Sequence, residues 1–274
     1  MAVPDLNTDP ISTLAPLTDE WGGSYRATTV GGQDYAVLLA TRHQARPERG
    51  ALAAYRLARV LGFSSVPLTA RMDVPIGTLG QWLSGDEAAH QALGQKALVS
   101  NDGTVRILLQ RQCSGRAVTA TEGPDVERWA RLAASTEPID AANAPLVRGY
   151  VEMVVLDYLA GNVARRTLQL DETSRRICLL DQRDAFPGFL APQAWQVLLE
   201  RVRPIVRFPR GLAEALERLD RIRAEAELRA GRFNDWLVGP RDIADLTERR
   251  TTLLTLVHAR IDQVGPDVAE SLGP

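Results

Sequence analysis

The chain alternates first and turns to helical periods later. "SYRATT" and "YAVLLA" flank Gly31-Gly32-Gln33-Asp34, a pattern that predicts a β-hairpin, opened by Gly22-Gly23. "RPERGALAAYRLARVLGF" sets Leu52, Tyr55, Leu57, Val60 and Leu61 along a helical face that stops at Gly62. "SSVPLTARMDV" and "TVRILLQRQC" read as two more strands, with a mixed loop and short helix between them. Beyond Pro124 the helical period dominates. "PDVERWARLAAST" is amphipathic, whereas "APLVRGYVEMVVLDYLAGN" is apolar nearly all round, as a helix inside a core would be. "SRRICLLDQ" is a short strand, and three helical patterns follow near 192–203, 210–231 and 240–264. The last carries Ile243, Leu246, Leu253, Val257, Ile261 and Val264 on one broad face. Strands first and helices after predict an α+β chain in two lobes. The expected divisions are an extended lead-in over 1–20, a strand-rich N-lobe over 21–112 and a helical C-lobe over 113–274.

Composition narrows the chemistry. At 274 residues, with 45% hydrophobic and 24% charged residues, the chain is long enough for a sizeable core. A net charge of −2 gives no general attraction to nucleic acid or to an anionic membrane, and neither is expected as a partner. No apolar run has the length of a membrane span, and "MAVPDLNTDPIST" lacks the basic and apolar regions of a signal peptide. The cytoplasm is the expected compartment. Cys113 and Cys178 show no metal-ligand spacing and read as small buried hydrophobes. His43, His90 and His258 form no zinc or triad pattern. Of the 32 basic residues only Lys96 is a lysine, so any mechanism that needs a lysine must use it or do without.

The order of elements, and several motifs, resemble a kinase. "DYLAGNVARR" matches a helix carrying D-x-L-x-x-N that runs into x-D-R-H, through Asp157, Leu159, Asn162 and Arg165. "LLDQRDAF" matches a strand ending in D-N-G-x-x-F, through Asp181 and Phe186. "AAYRLARVLGFSSVPLT" is similar to the passage A-Y-x-L-x-x-x-L-G-x-x-x-V-P. These motifs belong to the atypical kinases, above all the Fam20-like kinases of the secretory pathway and their bacterial relatives, and more distantly the HipA-like and phosphoinositide-kinase-like enzymes. The resemblance spans roughly residues 22–190. It implies a two-lobed protein-kinase-like fold with a nucleotide cleft lined by Leu39, Asn162, Ala164, Gln169 and Asp181, the last at the metal-ligand position.

The departures fall on the chemistry. Phosphoryl transfer rests on charges that position and stabilise the phosphates and metal. Leu39 stands at the expected strand lysine, with Arg42 three residues on, and Lys96 is far along the chain in "GQKALVS". Ala51 stands at the partner glutamate, with Glu48 three residues earlier. Ala164 replaces the catalytic aspartate, Arg166 the histidine, and Gln169 the second metal ligand. Asp157 reads as a structural carboxylate held by backbone donors, Asn162 as the family asparagine or a helix-end residue, and Arg165 and Arg166 as phosphate contacts, a solvated pair, or bound to loop carbonyls. Asp181 reads as a metal ligand or a strand-end turn residue, and Asp184 as a displaced acid or a solvated loop residue. Together these imply a pseudokinase-like protein with no catalytic residue and no required cofactor, ATP with Mg²⁺ being what the resemblance would otherwise supply. Its expected partner is another protein. The alternatives are an active atypical kinase or nucleotidyl-transferring enzyme with metal on Asp181, and a nucleotide-sensing binding module.

Overall fold

The computed structural model describes residues 9–17, 24–41, 46–83, 86–180, 182–228 and 236–273. Gly22-Gly23, Arg42, His43 and Asp181 lie outside the described residues. The first half builds one antiparallel sheet from β1 (Ile11–Pro16), β2 (Ser24–Thr29), β3 (Asp34–Leu39), β4 (Thr69–Pro75) and β5 (Thr104–Arg111), in the order β1-β2-β3-β5-β4. The lead-in thus contributes an edge strand, Leu14 pairing with Ala27. The expected hairpin joins β2 to β3. Gly32 adopts φ 79°, and the amide of Thr29 donates to the carbonyl of Gln33 at 3.0 Å.

Three helices accompany the sheet: α1 (Arg46–Val60), α2 (Ile76–Trp82) and α3 (Glu87–Lys96). α1 ends where Gly62 takes φ 74° and Phe63 N reaches back to Ala58 O at 2.8 Å. The two faces of β3 serve different cores. Tyr35, Val37 and Leu39 pack with Leu79 of α2 and Leu93 of α3, whereas Leu38 packs on the cluster that contains α1. Strand parity therefore corrects the expectation for Leu39. It is buried away from α1, and Ala36 and Leu38 share the face turned toward that helix.

The second half is wrapped around α5 (Ala144–Ala160), which is buried on nearly every side, as its unbroken apolar run predicts. α4 (Pro124–Ala133), α6 (Pro192–Val202) and α9 (Pro240–Val264) pack against it. The pattern near 210–231 divides into α7 (Leu212–Arg218) and α8 (Arg221–Leu228), because Asp220 accepts from Arg223 N at 2.7 Å and starts a new helix. α10 (Pro266–Ala269) follows α9. A second, three-stranded sheet joins the expected strand in "SRRICLLDQ", β8 (Arg176–Cys178), to two strands not visible in the hydrophobic pattern, β6 (Arg116–Thr119) and β7 (Thr167–Asp171), in the order β6-β7-β8. It draws Cys113, just before β6, against Cys178 at the end of β8. The two form a disulfide with Cα atoms 6.4 Å apart across 65 positions. This corrects the reading of both as only small buried hydrophobes, since local spacing carries no information about a contact between distant strands. No helix among the described residues is long and apolar enough to cross a membrane. The whole is an α+β fold, strand-rich in its first part and helical in its second.

Candidate functional site

Two acidic residues sit inside the apolar helix α5, and each has found partners. Glu152 accepts from Ser64 N at 3.1 Å, Ser65 N at 2.9 Å and Arg148 Nε at 2.7 Å. Asp157, fully buried, is held by Arg165 from the loop beyond the helix. Nε of Arg165 lies 2.9 Å from both carboxylate oxygens, and Nη2 lies 2.7 Å from Oδ1. A guanidinium thus holds the carboxylate, and Arg165 is buried rather than solvated. A charge in a core is costly unless paired and hydrogen-bonded, and here the planar fork meets both oxygens. Arg201 of α6 adds a longer contact to Oδ2 at 3.9 Å.

The same arginine reaches forward. Its Nη2 donates to Oε1 of Gln182 at 2.8 Å, and Gln182 is fully buried. Arg165 therefore joins α5, the loop 162–166 and the loop that follows β8. Two backbone bonds complete this junction. Asn162 N donates to Asp157 O at 2.9 Å after Gly161 closes the helix at φ 70°, and Phe186 N donates to Ala160 O at 2.7 Å. Arg249 of α9 donates from Nε to Leu159 O at 3.0 Å, and burial holds its guanidinium below the ordinary arginine pKa. Asp242, in the first turn of α9, accepts from Gly188 N at 2.9 Å and Gly239 N at 3.1 Å.

α1 closes the site from the sheet side. A Cβ on Gly50 would stand 2.4 Å from the carbonyl oxygen of Ala185, so glycine allows helix and loop to meet backbone to backbone. Glu48 is 1% exposed and stands one turn before Ala51 on the same stripe of α1. A carboxylate is thus present on this helix, displaced by a turn from its expected position. The signal in "ERGA" was a glutamate three residues before Ala51, hence on the same helical stripe.

The expected site residues are only partly assembled. Asn162 is buried at the end of α5, and Ala164 lies half-buried in the loop beside Arg165. Gln169 lies on β7, paired with Cys178, and its amide nitrogen, in the orientation that satisfies it, donates to the carbonyls of Gly115 at 3.2 Å and Arg116 at 3.3 Å. Leu39 is in the other core, as described above. Lys96 is exposed at the end of α3. Phe186 is buried with a positive φ of 55°, which turns the chain sharply after Ala185. No group of three or more metal-ligating side chains occurs among the described residues.

No family model matches this chain, and no curated protein matches it. Solved structures do. The chain is similar to a Fam20 from hydra described with sugar, with a TM-score of 0.66 and 12% identity over 97% of this chain and 90% of that one. It is also similar to the Golgi casein kinase, at a TM-score of 0.65 and 12% identity, over 97% of this chain and 76% of that one. The same kinase described with Mn and ADP bound gives 0.63 and 12%, over 97% and 77%. The fold is that of the atypical kinases.

Proposed function

We propose that this kinase-folded chain is pseudokinase-like: it transfers no phosphate and acts by binding a partner protein. One observation carries the reading. The buried Asp157–Arg165–Gln182 framework is complete, while Ala164, the residue next to Arg165, offers a methyl group where transfer chemistry would need a carboxylate. The strand face turned to α1 agrees with this, since Ala36 and Leu38 bring no cation to it. Each preorganised charge on a transferring phosphoryl group is worth roughly 10²–10³ in rate, and a proton-accepting group adds about 10²–10⁴. A framework without those groups can still present a surface. Val163 and Phe189, on the two loops of the site, are exposed apolar side chains that a protein partner would cover.

The test is incubation of the purified chain with radiolabelled ATP and Mg²⁺ or Mn²⁺. No labelling of the chain or of generic protein substrates is expected. Robust labelling that Asp181→Ala abolishes would overturn the reading. A second reading, nucleotide binding with or without turnover, is favoured by the buried Glu48 on α1 and by the similarity to a kinase described with Mn and ADP. A rise in melting temperature with millimolar ATP and Mn²⁺ would support it. The cytoplasm is also part of the proposal. Disulfides in that compartment are usually transient, and this bears on the Cys113–Cys178 pair.

A further inference from the structure

We propose that Cys113 and Cys178 form a thiol–disulfide switch that controls residues 182–186 of the kinase-like site. The inference rests on the reading of that site as the working part of the molecule. The chain has two cysteines, and both are used in this bond, so no third thiol competes within the molecule. Their positions are unequal. Cys178 is buried and rooted: it pairs with Gln169 in the β7–β8 ladder, and the next residue donates from Leu179 N to Ser65 O at 2.8 Å. Cys113 is half-buried on the connector that leaves β5. The bond therefore ties the exit of the large sheet to the strand that runs straight into Gln182, Ala185 and Phe186.

A switch must leave a folded protein when open. The connector keeps other attachments without the disulfide: Ser114 Oγ donates to Asp171 at 3.1 Å, Gln112 N to Asp34 O at 3.1 Å, and the Gln169 amide holds Gly115 and Arg116. A chain of this length also has a core of its own and does not depend on a staple, unlike small secreted domains. What the open form loses is the covalent tie between connector and β8. Phe186 and Gln182 then keep their hydrogen bonds and packing, without the covalent anchor on the strand that leads to them.

The exchange balances with a dithiol as reductant. Its thiolate attacks the more accessible sulfur, that of Cys113. The S–S bond breaks, and Cys178 leaves as a thiolate that takes up a proton. The second thiol of the reductant resolves the mixed disulfide and releases Cys113 as a thiol. Two electrons and two protons pass to the protein, and the dithiol becomes a disulfide. A small disulfide such as oxidised glutathione runs the reverse.

The test uses the full chain, purified without reductant and equilibrated with oxidised glutathione or with dithiothreitol. Iodoacetamide labelling read by intact mass should give no alkylated cysteine in the first sample and two in the second. Hydrogen exchange should then be at least about tenfold faster in the reduced protein at 112–116 and 182–186, with α5 and α9 amides unchanged. Cys113→Ser should match the reduced wild type in either buffer. Two free thiols under oxidised glutathione, or equal exchange in both forms, would overturn the proposal. If Cys113→Ser does not fold, the reduced wild type decides alone. Phosphate transfer measured on the same two samples tests the pseudokinase reading separately, since labelling there leaves the thiol and exchange results untouched.

Discussion

Arg165 is where the site is most sensitive to a single side chain. Replacing it with leucine leaves Asp157 charged and buried without the guanidinium that meets both its oxygens, with Arg201 only at 3.9 Å, and breaking such a pair typically costs about 3–5 kcal/mol. Arg165→Leu should therefore lower the unfolding free energy by that amount in urea. Arg165→Leu combined with Asp157→Leu should recover most of the loss, because the stranded charge is gone. A double variant as unstable as the single would show that the pair does more than neutralise itself. Gly50 gives a second residue-scale expectation. Its substitution by alanine drives a Cβ into the Ala185 carbonyl, and backbone cannot yield as a flexible side chain can. A cost of roughly 1–3 kcal/mol is expected, with faster hydrogen exchange at 183–186. Neither role was legible in the sequence. Asp157 and Arg165 are eight apart across a helix end, and no periodicity pairs them. Gly50 sits mid-helix, where glycine alone says only that propensity has been sacrificed to something.

At the scale of elements, the hairpin of β2 and β3, the buried helix α5 and the long helix α9 followed from period and punctuation, since each pattern is complete within its own stretch. β6 did not. "RAVT" is four residues long and meets its partner "TLQL" only after α4 and α5 have intervened. The disulfide follows from the same sheet. Closing a separation of 65 residues removes denatured-state entropy worth about 4 kcal/mol on the chain-entropy model. Reduction should therefore lower stability in urea by roughly 2–4 kcal/mol without unfolding the chain. The turn between β7 and β8 adds a pH dependence. Asp171 accepts from Thr173 N at 2.9 Å, Ser174 N at 3.0 Å and Ser114 Oγ at 3.1 Å. The bond from Ser174 N is the largest cause of a pKa below the usual aspartate value. A depressed folded pKa stabilises above the unfolded value of about 3.9 and is lost as pH falls through the folded value. The stability gap between wild type and Asp171→Ala should narrow as pH falls below the unfolded value of about 3.9 and through the lower folded value. A gap independent of pH would assign the effect to packing.

Over the whole molecule, the kinase-like fold was legible because the order of motifs survives even where individual residues do not. The catalytic groups were read as missing from the same alignment, and that proposal leads to one strong expectation. Ala164→Asp should not create measurable phosphate transfer, since residues that act as a unit are grossly non-additive and one restored carboxylate meets no lysine across from it. A turnover of even a few per hour, measured with radiolabelled ATP, would mean that other side chains already position the phosphates.

Asp242 places one oxygen on Gly188 and the other on Gly239, so the same carboxylate caps α9 and grips the turn beyond Phe186. α9 has 25 residues, a rod of roughly 37 Å at 1.5 Å per residue. Its first turn is thus a handle on the loop, and its far end lies several turns away. Between the two ends Arg249, Arg250 and Arg260 pin the rod to Leu159, Leu216 and Ile205, so the handle on Gly188 is set by a helix anchored along its whole length.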